Sequence, residues 1–136
     1  MNKVVVLVAT SMNRHDFLIH RALKSILWQT YKPNCIIVVD DNNPEDFEEN
    51  KKIIENLSIP NLYYIKNQRT KNNSGTGAWN TGFDFLKKFL GEKSYVAILD
   101  DDDEWESTHL ESCIEKIKCK LYKAVFSYLK RHDCPN

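Results

Sequence analysis

Val4-Val-Val-Leu-Val-Ala9 is an unbroken run of apolar residues. A strand with one wet face alternates apolar and polar side chains, so an unbroken run belongs to a strand covered on both faces, as in parallel sheets. Cys35-Ile-Ile-Val-Val39 repeats the pattern, and Leu62-Tyr-Tyr-Ile65 and Tyr95-Val-Ala-Ile-Leu99 are further stretches of strand length. Between them apolar residues recur at helical spacing. Ile19, Leu23, Ile26 and Leu27 mark a helix within 15–29, with Asn13 and Asp16 at its cap and first-turn positions. Asp46 with Glu49 gives the cap signature of a polar helix to about Leu57. A polar loop over 66–77 leads to a helix with Trp79, Phe83, Leu86 and Leu90 on one face, stopped near Gly91. Thr108 with Glu111 caps a helix carrying Leu110, Cys113, Ile117 and Leu121, and Ala124 to Tyr128 begins a fifth strand. Strand and helix alternate, which predicts a three-layer α/β/α sandwich with a mainly parallel sheet and right-handed crossovers. At 136 residues the chain makes a single domain, 1–136.

This topology sets the carboxyl ends of the first, second and fourth strands on one rim, where α/β proteins bind ligands. Those ends carry Thr10-Ser-Met-Asn-Arg14, Asp40-Asp-Asn-Asn43 and the four consecutive aspartates Asp100 to Asp103. Adjacent carboxylates repel, and a cluster of them favours a hard divalent cation, which in turn commonly holds substrate phosphates. A charge run of this kind is otherwise a solvated turn. Lysine plus arginine and aspartate plus glutamate number 19 each, so no net field points to nucleic acid or to a membrane surface. The four cysteines lack C-x-x-C spacing and read as free thiols of a reducing compartment. No apolar run is long enough to span a membrane, and no cleavage site follows the first one, so the expected location is cytoplasmic. No G-x-G-x-x-G follows the first strand, which disfavours a Rossmann-type oxidoreductase, and there is no Walker-type loop or Ser/His/Asp set.

Five segments taken in order carry a family resemblance. They are Val8-Ala-Thr10 with Arg14, Ala22-Leu-Lys-Ser-Ile-Leu-Trp-Gln-Thr-Tyr31, Ile37-Val-Val-Asp-Asp-Asn42, Gly77-Ala-Trp-Asn-Thr-Gly82 and Leu99-Asp-Asp-Asp-Asp-Glu-Trp105. From residue 3 to about 128 the chain resembles the amino-terminal, nucleotide-sugar-binding half of a family 2 glycosyltransferase with the Rossmann-like GT-A fold. The resemblance implies an inverting transferase that moves a sugar from a nucleoside-diphosphate sugar, of the UDP type, to a saccharide or other hydroxyl-bearing glycoconjugate. By the same resemblance Asp102, the last aspartate of a D-x-D, is the ligand of a divalent metal, Mn²⁺ or Mg²⁺. Asp100, the first, accepts a hydrogen bond from the ribose, and Asp101 lies beside it in the nucleotide site. Asp41 accepts from the N–H of a uracil-type base, with Asp40 next to it and Thr10 lining the base pocket. Arg14 faces the base or the diphosphate, or caps its own helix; Arg69 and Lys71 in the loop after the third strand are further phosphate partners.

Two departures accompany the resemblance. Many members carry arginine where this chain has Trp79, which fits the apolar face of its helix instead. The sequence also reads as lacking the acceptor-binding half that supplies the family's catalytic base, so no catalytic residue is evident. Two functions stay open: the donor-binding portion of a metal-dependent transferase, or a module that binds a nucleotide or nucleotide sugar without transfer.

Overall fold

Parallel strands β1 (Lys3–Thr10), β2 (Cys35–Asp40), β3 (Leu62–Lys66) and β4 (Ser94–Asp100) form a four-stranded sheet in the order β3-β2-β1-β4. The computed structural model describes residues 3–68, 76–89, 94–120 and 125. Val4 to Val8 and Ile36 to Val39 are all buried, because helices cover both faces. On one face Val6, Val8, Ile36 and Val38 pack against Leu18, Ala22, Ile26, Phe47, Ile54 and Leu110. On the other, Val5, Leu7, Ile37 and Val39 pack against Ala78 and Leu86, with Trp79 and Phe83 at the margin. This is the expected α/β sandwich, with Trp79 on the core side of its helix.

Helix α1 is less regular than its sequence period suggests. An α turn at His15–Phe17 passes into a π-wound stretch, Leu18–Leu23, and returns to α at Lys24–Leu27. Its cap also differs from expectation. Arg14 is the N-cap and makes no side-chain cap bond. Asn13 has positive φ, donates its N–H to Asn42 Oδ1 at 2.8 Å and accepts from Asn50 Nδ2 at 3.1 Å. A long-range partner, Asn50, took the side chain that local spacing assigned to the cap.

Helix α2 (Pro44–Glu55) begins two residues before Asp46. Asn43 is the N-cap, its side chain accepting from the Asp46 N–H at 2.9 Å, and Pro44 occupies the first turn, where its missing N–H costs nothing. Helix α3 is Thr76–Phe89 and α4 is His109–Lys120. Gly82 of α3 lies so close to β1 that a Cβ there would meet Leu7 Cδ1 at 2.3 Å. Of the expected fifth strand only Val125 is described; Arg69 and Lys71 lie outside the described residues.

Candidate functional site

The chain builds the sheet outward from β1 through β2 to β3, then crosses back to lay β4 on the other side of β1. Between β1 and β4 the strand order reverses, which opens a crevice at the carboxyl edge. Register fixes what lines it: Thr10 pairs with Asp40 and Ala9 with Asp100. Asp40 and Asp100 therefore stand two strand spacings apart, about 10 Å.

Where β4 ends at Asp100, the turn that follows divides the four aspartates between two environments. Asp101 turns inward and is 0% exposed. Its Oδ2 accepts from Thr10 Oγ1 at 2.9 Å, Arg14 Nε at 3.1 Å and the Ser11 N–H at 3.4 Å; its Oδ1 lies 2.9 Å from Arg14 Nη2. Burial pushes this carboxyl above the ordinary range, and the bonds from Thr10, Arg14 and Ser11 pull it back in part. Asp101, expected among the nucleotide contacts, is thus engaged with two other expected site residues, Thr10 and Arg14.

Asp100, Asp102 and Asp103 turn outward. The Asp103 N–H donates to the Asp100 carbonyl at 3.2 Å, closing a turn. One carboxylate oxygen from each of the three lies within 4.8 Å of the others. Desolvation, and then the negative charges of Asp103, Asp102 and Asp101, raise the Asp100 carboxyl. Three converging hard oxygens fit Mg²⁺ or Mn²⁺ in donor type, with room left for phosphate oxygens and water. Asp102 also meets two arginines: Arg14 Nη1 lies 3.6 Å from its Oδ2, and Arg21 Nη1 donates to its carbonyl at 3.1 Å.

The β2 side of the crevice is equally ordered. Asp40 is buried, accepting from the Tyr64 hydroxyl and from the Asn42 N–H at 2.7 Å. Burial, reinforced by that carboxylate, holds the Tyr64 phenol protonated far above its usual range. Asp41 donates its N–H to the Thr10 carbonyl at 2.9 Å and accepts from Asn67 Nδ2 at 2.7 Å. Asn67 Oδ1 in turn accepts from Thr81 Oγ1 at 2.7 Å, linking Asp41 to α3. Tyr64, Asn67 and Thr81 had no site role in the sequence reading. Their only signal was position, at or just past β3 and within the segment from Gly77 to Gly82.

A further unanticipated residue ties the loop after β4 to α1. Gln29 is buried, donates to the Ser25 carbonyl at 3.1 Å and the Glu106 carbonyl at 2.7 Å, and accepts from the Leu110 N–H at 3.0 Å. That last bond satisfies an amide in the first turn of α4, which would otherwise lack an intrahelical partner.

Comparison with known proteins agrees with this geometry. The sequence model described as Glycosyl transferase family 2 matches residues 7–133. An uncharacterized glycosyltransferase, R139, of Acanthamoeba polyphaga mimivirus is 33% identical, covering 98% of this chain and 60% of the viral protein. The GalNAc(5)-diNAcBac-PP-undecaprenol beta-1,3-glucosyltransferase of Campylobacter jejuni is 37% identical over 85% of this chain and 35% of its own length. Among solved structures, residues 1–349 of S. aureus TarS superpose with a TM-score of 0.62 at 22% identity, over 85% of this chain and 32% of that one. The same fragment in complex with UDP gives 0.55 at 24%. These structures show a shared fold. The chain spans only part of the length of each protein it matches.

Proposed function

This chain belongs to glycosyl transferase family 2, and we propose that its crevice is the donor site of a metal-dependent transferase using a UDP-type sugar nucleotide. The observation that carries the reading is the convergence of Thr10, Asp40 and Asp41 with the Asp100, Asp102 and Asp103 carboxylates at the strand-order reversal. The UDP complex of TarS and a relative named as a UDP-Glc-dependent glucosyltransferase support the choice of nucleotide.

Each residue then has a physical task. Asp41, held through Oδ1 by Asn67, presents a carboxylate to the N3–H of uracil. An acceptor-only group suits that donor and rejects a ring nitrogen that merely accepts. Asp40, fixed by Tyr64 and Asn42, stiffens the same strand end. Thr10 lines the base pocket from β1, and Asp100 accepts from the ribose. Asp101 acts through the residues it holds, orienting Thr10 and keeping the Arg14 charge beside the diphosphate. Arg69, in the sequence just after β3, is proposed as a second cation for the diphosphate. Asp102, with Asp100 and Asp103 beside it, would hold Mn²⁺ or Mg²⁺. When bound, the ion supplies Lewis-acid neutralisation of the leaving diphosphate.

By the family reading, transfer itself would draw on an acceptor-binding half that supplies a base. Relatives named for glucosylation of undecaprenol-diphosphate-linked sugars support a saccharide-bearing acceptor. Titration calorimetry with UDP, with and without Mn²⁺, tests the donor site. Binding should tighten with the metal, and Asp102→Ala should remove that gain. Equal affinity in both conditions would remove the metal from the account, and tighter binding of ADP than UDP would remove the assignment of Asp41.

A further inference from the structure

The acidic loop hangs on α1 and the residues just after it. Arg14 grips Asp101 and Asp102, Gln29 grips the Glu106 carbonyl, and the Thr30 N–H donates to the Ser107 carbonyl at 2.8 Å. One further anchor reaches the loop where the three carboxylates converge. Arg21 donates from Nη1 to the main-chain carbonyl of Asp102 at 3.1 Å, and its guanidinium lies 4.4 Å over the ring of Phe17. Phe17 is 41% exposed, and the stack covers part of its ring. Arg21 sits inside the π-wound stretch, where the Lys24 N–H reaches back to the Ile19 carbonyl. Such wide turns concentrate at functional sites.

We propose that Arg21 is a positioning residue for the metal site, holding the Asp102 peptide so that its carboxylate converges with those of Asp100 and Asp103. This rests on the reading of Asp102 as a metal ligand. Neighbouring carboxylates repel, and an unanchored turn separates them. The turn has its own Asp103-to-Asp100 backbone bond at 3.2 Å, and the Arg21 bond locks the peptide between. Stacking on Phe17 keeps the guanidinium in place before any ligand arrives, which lowers the ordering cost of binding.

The sign of the effect separates this role from simple electrostatics. A nearby positive charge repels a cation, so if Arg21 acted only through its charge, removing it would tighten metal binding. If Arg21 positions the ligand, removing it weakens metal binding. The test is Mn²⁺ titration in the presence of UDP, by calorimetry and by loss of the free-ion electron paramagnetic resonance signal. The proteins are wild type, Arg21→Ala, Arg21→Lys and Phe17→Leu, with metal-free UDP binding and melting temperature measured on each. Losing one charge-assisted hydrogen bond predicts about five- to tenfold weaker Mn²⁺ binding in Arg21→Ala. Arg21→Lys should fall between, since it keeps the charge and loses the planar stack. Phe17→Leu, which keeps the hydrogen bond, should weaken binding about twofold. Metal-free UDP affinity should stay within about twofold throughout. Unchanged or tighter Mn²⁺ binding in Arg21→Ala overturns the proposal, as does an equal loss of metal-free UDP binding. A wild type that binds UDP without any response to Mn²⁺ fails earlier, at the metal reading itself.

Discussion

Asp101→Asn is the most informative single change at the rim. The carboxylate is 0% exposed and is met by Thr10, Ser11 and the Nε–Nη2 edge of the Arg14 guanidinium, whose side chain is 31% exposed. Two effects oppose each other. Burial alone raises the carboxyl, so neutralising it relieves a desolvation cost. An amide, however, turns an N–H₂ toward Arg14, which has only donors, and leaves the guanidinium without its counter-charge. Breaking one side of a buried ion pair costs about 3–5 kcal/mol. Arg14 reaches water over part of its surface, so the expected loss is smaller, about 2 kcal/mol. Urea unfolding should therefore show a lower midpoint with an unchanged slope. Affinity for UDP should fall as well, because Thr10 and Arg14 lose the group that orients them. The decisive measurement is the double-mutant cycle with Arg14→Gln. The two residues touch, so the coupling should reach about 1–2 kcal/mol. Additivity within about 0.5 kcal/mol, or an Asp101→Asn protein as stable as wild type, would refute the account of Asp101 as the strut between β1 and β4.

Three further outcomes follow from the geometry. Tyr64→Phe leaves the buried Asp40 carboxylate one donor short and should cost about 1–3 kcal/mol in urea unfolding; a neutral result would show that Asp40 does not depend on the phenol. Gly82→Ala gains helix propensity of about 1 kcal/mol but forces a methyl against Leu7, a fully buried side chain. Overpacking of that kind costs about 1–3 kcal/mol, so the melting temperature should drop, and a rise would mean that α3 moves off β1 freely. His109, stacked on Trp105 at 4.7 Å, is held below the ordinary imidazole range by burial, Glu106 opposing. Its unfolded form binds the proton more readily, so its contribution is present above pH 6.5 and lost as the pH falls through the lower folded value. Stability measured between pH 7 and pH 5 should decline less steeply in His109→Gln than in wild type.

The strand and helix pattern was legible because it is local. Val4 to Ala9 and Cys35 to Val39 declare burial by composition alone, and the rim followed from topology: three distant segments had to share an edge once the strands were parallel. What the sequence concealed is which groups satisfy one another across that edge. Asp101 meets Thr10 at a separation of 91 residues and Arg14 at 87, and Gln29 meets Leu110 at 81. No periodicity encodes such pairs, since each depends on two side chains being brought within hydrogen-bond reach by elements packed independently. Local spacing misassigned Asn13 as a cap for the same reason: its side chain accepts from Asn50, 37 residues away, and Arg14 stands at the N-cap. The four aspartates carry the point furthest. As a sequence they are one uniform charge run, and the turn after β4 makes them two kinds of group. The inward Asp101 binds the protein to itself, and the outward Asp100, Asp102 and Asp103 are placed to bind something else. Neutralising Asp101 should therefore register first in stability, and neutralising Asp102 in metal-dependent affinity with stability little changed. Equal behaviour of the two would return the segment to the solvated turn it resembles in sequence.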